Sequence, residues 1–243
     1  MKTFLINLDK NAERMASATK RLAEVGVEFE RVPAVYGKAL SAAERRECFD
    51  AFRWWCAMGR PATPGEIGCA MSHLNVYRRM TEENIPFACV MEDDVVPGDK
   101  IKSQLQFVEE WYRAGNEGVV LVSNHSRKDL ASDGQVIFEQ GERKIVGGVM
   151  DYFTECYTLT LNDARKILKA NCPVCAPADA WGRWGKYYGL KLLHVIPSAA
   201  AQDGQVSDVR EGWFTIKYMI PHKMMRVVGL AIDRFLLMLG KLA

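Results

Sequence analysis

The stretch IPFACVMEDDVV, residues 85–96, decides how this chain is read. An uncharged run from Ile85 to Met91 is followed by Glu92, Asp93 and Asp94 side by side, after which Val95 and Val96 restore the apolar character. A short continuous apolar run predicts a strand buried on both faces, of the kind found in the middle of a parallel sheet. Three adjacent carboxylates repel one another, so something must offset their cost. In open α/β sheets ligands gather outside the carboxyl ends of the strands, which is where this trio stands. A hard divalent cation, Mn²⁺ or Mg²⁺, would take carboxylate oxygens there and bridge to the phosphates of a nucleotide. The alternative is a solvated acidic turn.

Working outward, the elements on either side repeat one alternation. The opening Lys2 to Asp9 run is broken by Asn7 and stopped by Asp9 and Lys10, so it reads as a buried first strand rather than a signal peptide. Asn11 to Val25 follows as a helix with Met15, Ala18 and Leu22 on one face and Gly26 as its stop. Ser41 and Glu44 form a capping-box pattern opening a short helix through Phe49, and the stretch from Trp54 to Pro61 reads as an irregular loop. Thr63 and Glu66, with Pro64 at the first helical position, start a helix to about Glu83 that buries Ile67, Ala70, Met71, Leu74 and Tyr77. Beyond the acidic trio, Ile101, Leu105, Val108 and Trp111 mark a helix ending at Gly115, and Val119 to Val122 a strand. This β-α-β-α-β order predicts an open α/β sheet. From Val136 the pattern changes to a hairpin around Gly141, a strand from Cys156 to Leu161, a helix from Asp163 to Lys169 and a strand from Leu190 to Ile196, so the second half of the sheet is mixed.

Composition narrows the class. At 243 residues, with 49% hydrophobic and 26% charged residues, one principal core is expected. A formal net charge of +2, without a Lys/Arg-dense run interleaved with aromatics, argues against a nucleic-acid partner. Seven scattered cysteines form no disulfide framework and point to a reducing, cytoplasmic setting; Cys172 and Cys175 have C-x-x-C spacing but lack two further ligands for zinc. The segment from Lys217 to Ala243 carries five basic side chains against Asp233 and is rich in Met, Leu, Ile and Val. Such a basic amphipathic helix lies on an anionic membrane surface, or else packs on the domain.

Two further clusters carry chemistry. Glu66, Cys69, His73 and Tyr77 recur at helical spacing, which predicts a polar face opposite the apolar one, and the helix start offers N–H groups to an anion. Asp179, beside Trp181 in a Pro-containing turn, is either a general base whose pKa is raised by partial burial or a helix N-cap.

Ile6-Asn7-Leu8-Asp9 with Arg14, then Gly65 to Cys69 with Ser72 and His73, then Met91 to Val95, resemble glycosyltransferase family 25. The resemblance extends more weakly to Tyr157–Leu168, Pro177–Asp179 and Pro197–Ser207. It implies a GT-A-like single domain over residues 1–216, a Rossmann-like mixed sheet flanked by helices, followed by the basic segment 217–243. It also implies an inverting hexosyltransferase that uses a UDP-sugar, usually UDP-galactose, and a divalent metal. Asp94 is then assigned to the metal, with Gln202 or His194 completing its shell. Asn7, Leu8, Arg14, Glu66, His73, Glu92 and Asp93 go to the donor, and Asp179 acts as base with Asp203 or Asp151 next in line. The branch implied is bacterial, with a lipooligosaccharide acceptor at the inner face of the cytoplasmic membrane. A metal-dependent nucleotide-sugar hydrolase and a silent sugar- or membrane-binding protein are the rivals.

Overall fold

The chain runs as β1 (Lys2–Asn7), α1 (Ala12–Glu24), β2 (Glu30–Pro33), a 3-10 turn (Gly37–Ala39), α2 (Ala42–Cys48), α3 (Ala51–Met58) and α4 (Pro64–Glu82) in its first third. It continues through β3 (Phe87–Glu92), β4 (Val95–Pro97), α5 (Ile101–Arg113), β5 (Val119–Leu121), α6 (Leu130–Asp133), β6 (Gln135–Gln140) and β7 (Arg143–Gly147). The described elements end with β8 (Cys156–Thr160), α7 (Leu161–Asn171), α8 (Trp181–Tyr188), β9 (Leu192–Ile196) and β10 (Ala200–Gln202). This computed structural model describes residues 1–125 and 129–203, with Ala231 and Phe235 beyond them. The basic segment 217–243, apart from those two positions, lies outside the described residues, as does the end of the Pro197–Ser207 stretch.

The large sheet has the order β2-β1-β3-β8-β5-β9-β7-β6, with a separate β10-β4 pair. The expected mixed sheet flanked by helices is what the chain forms, with one correction to its centre. β3 is parallel to β1 but antiparallel to β8, which inserts between β3 and β5. β3 is therefore buried in a mixed sheet, not a parallel one. Hydrophobicity alone does not report strand direction, because a strand covered on both faces is apolar whichever way its neighbours run. The insertion has a consequence for chemistry. An antiparallel strand begins where its neighbours end, so the residues just before β8 share an edge with the carboxyl ends of β1 and β3.

Helices cover both faces. Phe4, Leu74, Tyr77, Val90, Tyr157 and Trp181 belong to one buried cluster, and Leu5, Leu22, Met91, Ile101, Val108 and Trp111 to the other. The capping boxes read at Ser41 and Thr63 both form. The loop expected from Trp54 to Pro61 is instead mostly helix: Asp50 accepts a hydrogen bond from the Arg53 N–H, Gly59 closes α3 in the left-handed region, and Trp54 is wholly buried. Burying an indole of that size outweighs the helix-breaking appearance of the flanking Gly59 and Pro61. The β2 strand, the β4–β10 pair, α6 and α8 have no counterpart in the sequence expectation.

One close approach fixes the mouth of the sheet. The 3-10 turn lies against the start of α4, and a Cβ built on Gly37 would stand 1.8 Å from Pro64 O, one on Gly68 2.4 Å from Val35 O. Ser72 Oγ also accepts the Val35 N–H at 2.8 Å. Only glycine at both positions lets the chain after β2 rest on α4.

Candidate functional site

The carboxyl ends of β1 and β3 deliver Asn7 and Glu92 to one edge of the sheet, and the turn after β3 adds Asp93 and Asp94. The trio's repulsion is offset by side chains from three other elements. Asn7 Nδ2 donates to Asp93 Oδ2 at 2.6 Å. Arg14, from α1, pairs with Asp93 Oδ1 and lies 3.2 Å from Asp94 Oδ2. Gln202, at the end of β10, donates to the same Asp94 oxygen at 3.0 Å. Asp94 Oδ1 is left buried without a hydrogen-bond partner among the described residues. Burial first, then the Glu92 charge, pushes the Asp94 carboxyl up to about 7.

Glu92 is held differently. Its Oε1 accepts from Thr154 Oγ1, just upstream of β8, and lies 3.4 Å from His73 Nε2, an ion-pair distance without hydrogen-bond alignment. Burial raises its pKa, but His73, Thr154 and Arg14 together leave it below the usual range. The face of α4 expected to be polar, opposite the apolar one, is buried too at Glu66, His73 and Tyr77. His73 Nδ1 meets Tyr157 Oη at 2.7 Å, and Tyr157 meets Tyr77 at 2.5 Å, so β8 supplies the hydroxyl that lets a polar helix face be buried.

Two cavities open on this edge. The first, about 110 Å³, has Asn7, Leu8, Arg14, Tyr36, Lys38 and the acidic trio among its walls, with Gly65 of the helix start. The second, about 610 Å³, is walled by Arg60, Glu66, Tyr152, Phe153, Asp179 and the α8 face carrying Arg183, Lys186 and Tyr187. Cys69, Glu92 and Gln202 line both cavities, so they mark the passage between them.

Asp179 is not the N-cap of α8, which is Ala180 with no side-chain cap. Burial pushes its carboxyl up to about 7, with Glu92 and Glu66 adding to the rise. Burial likewise pushes the Cys69 thiol well up, and the charges of Glu92, Asp179 and Asp94 add to it, in that order.

Most of the sequence-assigned donor residues come together in the first cavity, but Glu66 does not. Its carboxylate closes the Thr63 capping box and takes a two-pronged bond from Arg60, 2.8 Å on one side, and it faces the second cavity. His194 also stays away: it is fully buried in β9, with Nε2 3.2 Å from Val149 O. Asp203 is bonded by both terminal nitrogens of Arg21 at 3.0 Å, and Asp151 accepts the His125 and Tyr152 N–H groups, and neither lines the second cavity as Asp179 does. Cys69, Thr154 and Tyr157 were not assigned from sequence. The Cys69–His73 spacing of one helical turn was a signal for the first; Thr154, before β8, and Tyr157, within it, arrive from a distant part of the chain.

Procollagen galactosyltransferase 1-B of Xenopus laevis is 30% identical over 176 residues, which cover 69% of this chain and 28% of that protein. Procollagen galactosyltransferase 2 of Homo sapiens is 27% identical over 173 residues, 69% of this chain and 27% of that protein. The chain thus spans little more than a quarter of the relatives it matches. Among solved structures, galactosyltransferase LgtC in complex with donor and acceptor sugar analogues aligns with 84% of this chain and 68% of its own at 12% identity, TM-score 0.35. The family model for glycosyltransferase family 25 (LPS biosynthesis protein) matches residues 1–181, and the chain belongs to that family.

Proposed function

We propose that the protein transfers a hexose, galactose from UDP-galactose in the first instance, to a sugar hydroxyl of a lipooligosaccharide or lipopolysaccharide acceptor, with inversion at the anomeric carbon. The observation that carries this is the meeting of two cavities at Glu92, one walled by the acidic trio and Arg14, the other by Asp179 and aromatic side chains. The donor takes the first cavity and the acceptor the second, so the anomeric carbon lies at the passage.

The residues present fit a divalent cation, Mn²⁺ or Mg²⁺, because Asp94 Oδ1 is a buried carboxylate oxygen with no hydrogen bond among the described residues, and Gln202 stands beside that carboxylate. Such an ion, when bound, supplies charge stabilisation to the departing diphosphate. Arg14 adds a fixed positive charge on the same side, and Tyr36, 40% exposed, lines the cavity that the nucleotide base would enter. Asn7 and Asp93 brace one another and with Leu8 shape the cavity floor. Asp179 accepts the proton of the attacking hydroxyl. The new bond forms between that oxygen and the anomeric carbon, while the bond to UDP breaks with its electron pair leaving on the phosphate oxygen. A carboxyl that titrates near neutrality is matched to this task.

The family description favours a lipopolysaccharide acceptor, and the relatives' names favour a collagen-type peptide as the second candidate. In the first case the protein works at the inner face of the bacterial cytoplasmic membrane. No described helix is long and apolar enough to cross a membrane. Removal of residues 217–243 should then reduce binding to anionic vesicles and leave UDP affinity intact.

The test is calorimetric titration of UDP with Mn²⁺, with EDTA and with Asp94→Ala, followed by product analysis with both acceptor types. Metal-dependent binding lost in Asp94→Ala, and transfer rather than hydrolysis, is the expected result. Hexose release that no acceptor alters would identify a hydrolase. A folded protein that binds no UDP would point to a silent relative.

A further inference from the structure

We propose that Cys69, His73 and Glu92 form a second cation site, selective for a thiophilic divalent ion such as Zn²⁺, in the passage between the two cavities, and that its occupancy blocks sugar transfer. The metal site stands on its own observations; the block on transfer rests on the function proposed above.

Cys69 Sγ, a ring nitrogen of His73 and a Glu92 carboxylate oxygen lie within 4.8 Å of one another, and since Tyr157 holds Nδ1 the nitrogen that serves is Nε2. Tetrahedral zinc, with Zn–N and Zn–O of about 2.0–2.2 Å and Zn–S of about 2.3 Å, places its N and O ligands about 3.3 Å apart and S and N about 3.6 Å apart. The His73 to Glu92 separation is 3.4 Å, so that edge of the tetrahedron already exists, and the thiol needs to move inward by no more than about 1.2 Å.

The histidine supplies a second, independent observation. Among the described residues His73 Nε2 makes no aligned hydrogen bond; its side chain is 2% exposed, and its one close polar neighbour is the Glu92 carboxylate it faces at 3.4 Å. Buried polar atoms are rarely left so, and each exception needs a physical reason. The other ring nitrogen is held by Tyr157 Oη at 2.7 Å, which in turn meets Tyr77. A metal-bound histidine is held in this way: one nitrogen fixed by an outer partner, the other presenting its lone pair. Thr154 holds the Glu92 carboxylate in the same manner. Three protein ligands leave a fourth position open toward the passage. A thiolate selects zinc over the hard ions that suit Asp94, so the two sites differ in chemistry as well as position. Binding releases the thiol proton to solvent. Because Cys69 and Glu92 line both cavities, an ion here stands where donor and acceptor must touch.

Co²⁺ is the probe, because a cobalt–thiolate bond gives a charge-transfer absorption that oxygen and nitrogen ligands do not. Titration of Co²⁺ into the full chain should produce that band at one equivalent, and Zn²⁺ should abolish it. The band should vanish in Cys69→Ser and persist in Asp94→Asn and in Cys172→Ser, with circular dichroism confirming that each variant is folded. No band in the folded wild type, or a band that survives in Cys69→Ser or is lost in Cys172→Ser, would overturn the site. In the transfer assay with excess Mn²⁺, Zn²⁺ should lower the wild-type rate at least tenfold and leave Cys69→Ser unaffected; equal inhibition of both proteins would refute the block. A chain with no transferase activity still yields the cobalt result, so failure of the site and failure of the proposed reaction are told apart.

Discussion

Changing Asp179 to Asn should make the protein more stable and less active together. The carboxyl, ordinarily at 3.8, is pushed to about 7 by burial and by Glu92 and Glu66. The folded pKa thus lies above the unfolded one, so the stability this group contributes is whole below about pH 4 and is lost as pH rises through about 7. Between pH 5 and 7 the unfolded chain carries the charge and the folded chain holds the proton. Each unit therefore costs about 1.36 kcal/mol, or about 2.7 kcal/mol over the window. Water at the cavity mouth reduces this to roughly 2 kcal/mol.

Asparagine is nearly the shape of the protonated acid and does not titrate. Urea unfolding at pH 5 and pH 8, in EDTA, should show the variant gaining about 2 kcal/mol on the wild type over that range. Asp94 titrates in both proteins and cancels in the difference. Transfer should fall by about 10²–10⁴ while UDP affinity stays within twofold, and wild-type kcat/KM should rise with pH through about 7. A stability difference independent of pH would refute the buried-carboxyl account; transfer within threefold of wild type would exclude Asp179 as the base.

Gly68→Ala forces a Cβ to 2.4 Å from Val35 O, so the turn and α4 must part. Urea unfolding should show a loss of about 2–3 kcal/mol, with UDP affinity down at least tenfold because that turn walls the first cavity. Arg14→Gln leaves Asp93 and Asp94 with less compensation; it should destabilise by about 2 kcal/mol at pH 8 and by clearly less at pH 5, where Asp94 takes a proton. An equal loss at both pH values would show that Arg14 acts through packing alone.

What the sequence reveals here is mainly what is local. The Thr63–Glu66 box, Pro64, the Gly26 stop and the apolar run into Glu92 each act within a few residues, so helix starts and the acidic turn are legible. Trp54 shows the limit: its loop-like neighbours are overridden by a core that other segments build. The β8 insertion and the Gln202 contact with Asp94 join residues far apart in the chain, and no periodicity encodes them. The inward turn of the Glu66–Tyr77 face follows from the same cause, because Tyr157 is what makes burial of His73 tolerable. Asp179 stood out in sequence only by its neighbours; its cavity comes from α4, α8 and the segment before β8 meeting in space.

The repulsion among Glu92, Asp93 and Asp94 first pointed to a cation, yet the structure meets most of it with protein groups. Asn7 and Arg14 take the two oxygens of Asp93, Arg14 and Gln202 share one of Asp94, and Thr154 with His73 holds Glu92. One buried oxygen of the trio, Asp94 Oδ1, remains without a hydrogen bond among the described residues. A cation here therefore belongs to substrate binding more than to folding, and the chain should keep its fold in EDTA. Adding Mn²⁺ at a hundred times its dissociation constant should raise stability by about 2.7 kcal/mol through binding to the folded state alone. A protein that loses its circular dichroism signature in EDTA would show instead that the five side-chain partners do not suffice, and that the ion is part of the core.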